Sequence, residues 1–121
     1  MIIGGVAGGA STAARLRRLD EQAEIILFEK GEYISYANCG LPYYIGGVIE
    51  ERERLFVQTP ESFKARFNIE VRIKSEVKAI EPENKQVVIK DWATGKTYRE
   101  SFDKLVLSPG AEPVLPPSEG I

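Results

Sequence analysis

The sequence predicts an α/β fold in which a parallel sheet backed by a helix is joined by a small antiparallel β meander. Three observations predict it. A short apolar strand ends in the glycine-rich run GGVAGGA, an alanine-lined helix and a second apolar strand follow directly, and the C-terminal half changes to alternating apolar and polar residues. With 121 residues, 43% of them hydrophobic, the chain has room for one domain with a core of its own.

Each element has its own signal. MII is the tail of an apolar strand, GGVAGGA a tight turn, and STAARLRRLDE a helix with Ala10, Ala13, Ala14 and Leu19 on a face narrow enough to lie on a sheet. AEIILFEK is a second, buried strand. The cysteine-bearing stretch SYANCGLPYYIGG follows, and then Thr59 as N-cap and Pro60 at the first helical position open a helix over PESFKARF. IEVRI, EVKAIE, QVVIKDW and KTYRESF alternate in polarity, with PENK and ATGK as turns, and predict the meander. DKLVL is a continuous apolar strand stopped by Ser-Pro-Gly. Residues 1–110 are expected to form the domain and 111–121 a proline-rich linker leaving it.

Composition narrows the function. A net charge of −2 has no basic excess to steer the chain to nucleic acid, and no apolar run approaches the roughly 20 residues that span a bilayer, so neither nucleic acid nor membrane is an expected partner. The single cysteine makes no disulfide framework and no leader pattern is recognised, which points to the reducing cytoplasm. There is no histidine. Without it the commonest general base and zinc ligand are missing, and no metal site is expected.

The glycine turn carries the first chemistry. A dinucleotide fingerprint needs glycine for the strand exit, for close approach to a pyrophosphate and for packing the helix on the strand. Gly4 and Gly9 fill the first and third places and Val6 the second. Glu29 stands about 20 residues beyond Gly9 at the end of the second strand, where a carboxylate accepts hydrogen bonds from an adenosine ribose. The unit is therefore Rossmann-like, although FAD and NAD share it. Cys39 lies just before GLPYY, where Pro42 can be an early helical residue, placing the sulfur near a helix N-terminus that favours thiolate. The competing reading is a small buried filler, against which Asn38 and Gly40 are poor core neighbours.

The blocks IIGGVAGGASTAARLRRLDE, IILFEKGEYISYANCGLPYYIGG and DKLVLSPGAEP together resemble the N-terminal FAD-binding part of the coenzyme A disulfide reductase family. That family is a single-cysteine branch of the pyridine nucleotide-disulfide oxidoreductases. The resemblance runs essentially from Met1 to the end and implies a flavoprotein in which NAD(P)H passes a hydride to FAD. The flavin then reduces a mixed disulfide between one protein cysteine and coenzyme A.

The resemblance makes Cys39, with Asn38, catalytic. It assigns Gly4, Gly5, Val6, Ala7, Gly8 and Gly9 to the FAD pyrophosphate, Glu29 and Lys30 to its adenosine end, Val77 to the adenine, and Ser108, Pro109 and Gly110 to closing over the cofactor, with Asn38 and Cys39 beside the flavin. Coenzyme A would meet Ser11, Arg15, Arg18, Ser35 and Asn38. Arg15 and Arg18 are one helical turn apart, which suits phosphate binding. Some relatives carry glutamine in place of Arg15 and a basic residue in place of Phe67. Related NADH oxidases and peroxidases place a histidine at the Ala7 position, so the resemblance favours thiol–disulfide chemistry; an NADH oxidase and a non-catalytic nucleotide-binding module are the alternatives. It further implies a longer, homodimeric subunit with a separate NAD(P)-binding domain, of which this stretch alone would be inactive.

Overall fold

The computed structural model describes residues 1–117. Its strands are β1 (Ile2–Ile3), β2 (Ile26–Phe28), β3 (Glu70–Arg72), β4 (Ser75–Glu81), β5 (Gln86–Asp91), β6 (Thr97–Ser101) and β7 (Val106–Leu107), and its helices α1 (Ala7–Leu19), α2 (Leu41–Ile45) and α3 (Pro60–Phe67). One sheet has the order β3-β2-β1-β7 with every pair parallel, and the other is the antiparallel meander β4-β5-β6. The predicted fold class is the one observed.

The parallel sheet is the middle of three layers, and β2 shows why. Alternate side chains leave a strand on opposite faces. Ile25 and Leu27 enter a core shared with Ile2, Ala10, Ala13, Ile34, Phe63 and Ile69 on the helical side. Ile26 and Phe28 enter a second core with Val87 and Ile89 of the meander. All three residues of β2 are buried, so the strand reads as a continuous apolar run. Full burial of a side chain such as Leu27 or Phe28 stabilises the fold by about 1.5–3 kcal/mol.

Three expectations are corrected. IEVRI does not join the meander: β3 pairs parallel with β2, Glu70 opposite Ile26 and Arg72 opposite Phe28. Alternation alone does not choose a partner sheet, and Ile69 is held in the helical core. Leu19 does not lie on the sheet-facing side; it is 65% exposed at the end of α1, and the buried face is Gly9, Ala10 and Ala13, with Ala14 half-buried. The helix begins inside the glycine run, at Ala7, because glycines at its start let it sit close on β1.

α3 matches its predicted bounds. Thr59 Oγ1 accepts from Ser62 N at 3.2 Å and Ser62 Oγ accepts from Thr59 N at 2.9 Å, a reciprocal capping box, with Pro60 in the first turn. Of the expected linker, 111–117 has no regular structure, and 118–121 lie outside the described residues.

The two sheets are clamped by Arg72. Its Nε donates to Glu70 Oε1 and its Nη1 to Glu100 Oε2 on β6, both at 2.6 Å, while Nη1 also reaches Tyr98 Oη at 3.2 Å. The guanidinium lies 5.3 Å from the Phe28 ring centroid and 5.8 Å from that of Tyr98. The side chain is 28% exposed, so these charge-assisted bonds are only partly screened. Arg72→Met is expected to lose about 2 kcal/mol of stability, because Glu100 and Tyr98 keep their polar atoms without a partner. Urea unfolding followed by circular dichroism measures this, and an unchanged midpoint would contradict the clamp.

Candidate functional site

The site is organised around the glycine turn. Gly4 has φ +95°, and a Cβ there would stand 1.9 Å from the Ser108 carbonyl oxygen. A Cβ on Gly9 would stand 1.7 Å from the Gly4 carbonyl oxygen. Only glycine therefore lets α1, β1 and the end of β7 meet this closely. Gly5 N donates at 2.7 Å to Glu29 Oε2, and Gly31 N donates at 2.8 Å to Glu29 Oε1. Glu29 is 9% exposed, and its two oxygens keep further lone pairs for a ligand hydroxyl.

α1 opens without a side-chain cap and without an acidic residue in its first turn, unlike α3. Ala10 N is bonded to Val6 O at 3.1 Å, and the preceding helical N–H groups have no acceptor inside the helix. Uncapped N–H groups at the positive end of a helix, beside backbone stripped of side chains, suit a pyrophosphate. The residues present thus fit a dinucleotide.

Two grooves flank this turn. One, of about 190 Å³, is lined by Gly4, Glu29, Lys30, Val77 and Pro109 together with Ile3, Phe28, Ser75 and Glu76. It gathers the residues expected at the adenosine end. Lys30 Nζ is ion-paired with Glu112 Oε1 at its rim, and Trp92 Nε1 donates to Glu76 Oε2 at 3.0 Å. Ser108 N donates to Ile3 O at 2.8 Å, and the Ser108 hydroxyl packs where a Cβ on Gly8 would be. Gly110 is exposed with φ +73°.

The other groove, of about 390 Å³, lies against the helices. Val6, Ala7, Ala10, Ser11, Ala14 and Arg18 line it from α1 and its approach, Ser35 and Tyr36 from the cysteine segment, and Val57, Gln58, Phe63 and Phe67 from α3 and its approach. Of the residues expected to meet coenzyme A, Ser11, Arg18 and Ser35 share this lining. Arg15 is exposed outside this lining. Tyr36, Gln58 and Phe63 carry no signal in the sequence, since they come from separate segments with no shared spacing, and Phe67 stands out there only as a departure from relatives with a basic residue. The α1 stripe at positions 7, 10, 11, 14 and 18 did carry a helical period that could have found Ala10 and Ala14.

Cys39 is an exposed free thiol, and Asn38 beside it is exposed. The buried-filler reading is therefore excluded. Both lie in a 3₁₀ turn, Asn38–Gly40, that runs into α2, with Pro42 in the first turn as expected. The helix end offers the sulfur less than the sequence suggested. Gly40 N is bonded to Ala37 O at 2.9 Å, Leu41 N to Asn38 O, and Pro42 has no N–H. Asn38 and Cys39 line neither groove, yet three residues of chain keep the Cα of Cys39 within about 11 Å of that of Tyr36.

Comparison with known proteins decides the family. The model of the pyridine nucleotide-disulphide oxidoreductase family matches residues 1–121. The chain belongs to that family. It is 48% identical over 111 residues to the coenzyme A disulfide reductase of Staphylococcus epidermidis, covering 92% of this chain and 25% of that protein. The crystal structure of reduced Bacillus anthracis CoADR-RHD superposes with TM-score 0.93 at 60% identity, covering 96% of this chain and 21% of that one. A NAD-dependent persulfide reductase from A. fulgidus superposes with TM-score 0.91 at 38% identity, covering 98% and 22%. The chain spans about a quarter of the length of the curated relatives it matches. Among the described residues, no helix is long and apolar enough to cross a membrane, and no three His, Cys, Asp or Glu residues are grouped to hold a metal.

Two measurements test this arrangement. Native thiol titration is expected to give one rapidly reacting equivalent, the same count as after denaturation; a thiol that reacts only when unfolded contradicts an exposed Cys39. The hydrogen bond and charge of Lys30 hold the Glu112 carboxyl below its ordinary value and raise Lys30. The pair is therefore intact at neutral pH and lost as pH falls through the depressed Glu112 value. An NMR titration of Glu112 is expected to have its midpoint below the usual glutamate value of about 4.3, and Lys30→Met to return it there.

Proposed function

We propose that this chain is the N-terminal FAD-binding part of a NAD(P)H-dependent disulfide reductase. Its substrate is coenzyme A disulfide or a coenzyme A persulfide, and it works through a mixed disulfide at Cys39. The observation that carries this is the placement of a lone exposed thiol on the segment that begins at Ser35. That segment borders the groove holding Ser11 and Arg18, while Glu29 and Lys30 border a second groove across the glycine turn. The names of the similar proteins support the same substrate class.

FAD would lie with its pyrophosphate on Gly4, Gly5, Val6, Ala7, Gly8 and Gly9, its adenosine end on Glu29 and Lys30, its adenine against Val77, and Ser108, Pro109 and Gly110 alongside. The bound flavin supplies the relay by which an electron pair from NAD(P)H reaches a disulfide. The chain's own part is thiol–disulfide exchange. The Cys39 thiolate attacks one sulfur of the substrate, the S–S bond breaks, and one coenzyme A leaves as thiolate and takes a proton from solvent. The second coenzyme A stays bonded to Cys39 until two electrons cleave the new disulfide, restoring the Cys39 thiolate. One disulfide, one NAD(P)H and one proton thus give two thiols and NAD(P)⁺.

Ser11, Arg15, Arg18 and Ser35 hold coenzyme A, the guanidinium groups meeting its phosphates. Asn38 positions the substrate beside the sulfur. The full-length enzyme acts as a homodimer in the cytoplasm, with residues 1–110 in the FAD-binding domain and 111–121 leading out of it. In the full-length protein, NADPH or NADH is expected to bleach the flavin and coenzyme A disulfide to restore it, with Cys39→Ser retaining flavin but turning over at least about 10³-fold more slowly. Sustained disulfide turnover by Cys39→Ser would falsify the mixed-disulfide role. Rapid oxygen consumption by wild type without disulfide, with none stimulated by it, would instead identify an oxidase.

A further inference from the structure

α1 and α3 wall the larger groove, through Ala10, Ala14 and Arg18 on one side and Phe63 and Phe67 on the other. Both helices end at the same outer rim. Helix ends leave carbonyl oxygens without partners and carry partial negative charge. Arg17, half-buried, bonds four backbone carbonyls at and just beyond these two ends. Its Nε donates to Phe67 O at 2.6 Å and its Nη2 to Asn68 O at 3.0 Å, at the end of α3. Its Nη1 donates to Asp20 O at 3.2 Å and Glu21 O at 2.7 Å, just beyond α1. No carboxylate pairs with it among the described residues. A guanidinium so committed is a bracket between helices and does not contact a ligand.

The bracket fixes what the groove presents at its outer end. The Phe67 carbonyl is pinned, and the Phe67 ring stands edge-on to Phe63 at 5.5 Å and 68°. Arg66 lies 5.5 Å from the Phe67 ring centroid, and Arg18 makes only a long 3.3 Å bond to Ala14 O of its own helix. Neither arginine has a carboxylate partner among the described residues. An aromatic wall with the Arg18 guanidinium in the lining and Arg66 over the Phe67 ring outside it suits a phosphorylated aromatic moiety.

We propose that Arg17 is a positioning residue that sets the outer end of this groove and so favours disulfides bearing a phosphorylated nucleotide over small disulfides without one. This rests on the substrate class proposed above. Lysine is no substitute, because one ammonium cannot span four carbonyls on two helices.

The test uses the full-length FAD-loaded enzyme as wild type, Arg17→Lys and Arg17→Gln, with coenzyme A disulfide and cystamine as alternative substrates. Both variants are expected to raise KM for coenzyme A disulfide about tenfold with kcat retained, and to leave cystamine kinetics unchanged. Amide exchange is expected to speed up at residues 64–68 and at 19–22 while β1 and β2 stay protected. Equal changes for both disulfides, no change for either, or full function in Arg17→Lys would each overturn the proposal. Wild type that reduces cystamine but not coenzyme A disulfide would instead sink the substrate class.

Discussion

Much of this structure hangs on one buried carboxylate that forms no ion pair among the described residues. Glu29 accepts from Gly5 N at 2.7 Å and from Gly31 N at 2.8 Å, and so ties the glycine turn to the end of the central strand. Its backbone is held as well, with its N–H donating to Arg72 O and its carbonyl accepting from Ser75 N, each at 2.9 Å. A buried anion is costly unless hydrogen-bonded, and backbone donors answer that cost without adding a counter-charge. The carboxylate is therefore fixed in direction and still able to accept from a ligand hydroxyl.

That lock fixes the turn, and the turn in turn partitions two grooves. Gly4 faces the groove of Glu29, Lys30 and Val77, while Val6 and Ala7 face the groove of Ser11, Arg18 and Ser35. The contrast between the helices follows the same logic. α3 spends its first N–H groups on a capping box, whereas α1 leaves its own without a side-chain cap at the edge of the turn.

Residue patterns that depend on local chain geometry were legible in the sequence. Thr59, Pro60 and Ser62 announce α3 because capping is decided within one helical turn. Gly4, Gly9 and Glu29 announce the dinucleotide unit because their roles follow from fixed offsets along β1, α1 and β2. Partner choice was not legible. Residues 69–73 alternate like the meander strands, and only the seating of Ile69 among Leu27 and Phe63 assigns β3 to the parallel sheet. Leu19 stands nine residues beyond Ala10, which at 3.6 residues per turn puts it on the opposite side of α1 from the buried face, and it is 65% exposed.

The sequence by itself determined the chemistry available: a glycine turn able to approach phosphate, a carboxylate at the following strand end, one cysteine and no histidine. These are properties of residue type and short-range spacing. The tertiary structure decided which of them face one another. It exposed Cys39, set Ser11, Arg18 and Ser35 along one wall, left Arg15 outside it, and brought Tyr36, Gln58, Phe63 and Phe67 to the same groove from segments far apart in the chain. The physical reason is that a groove is made of side chains whose proximity is set by packing two cores against one sheet, and no local periodicity encodes that distance.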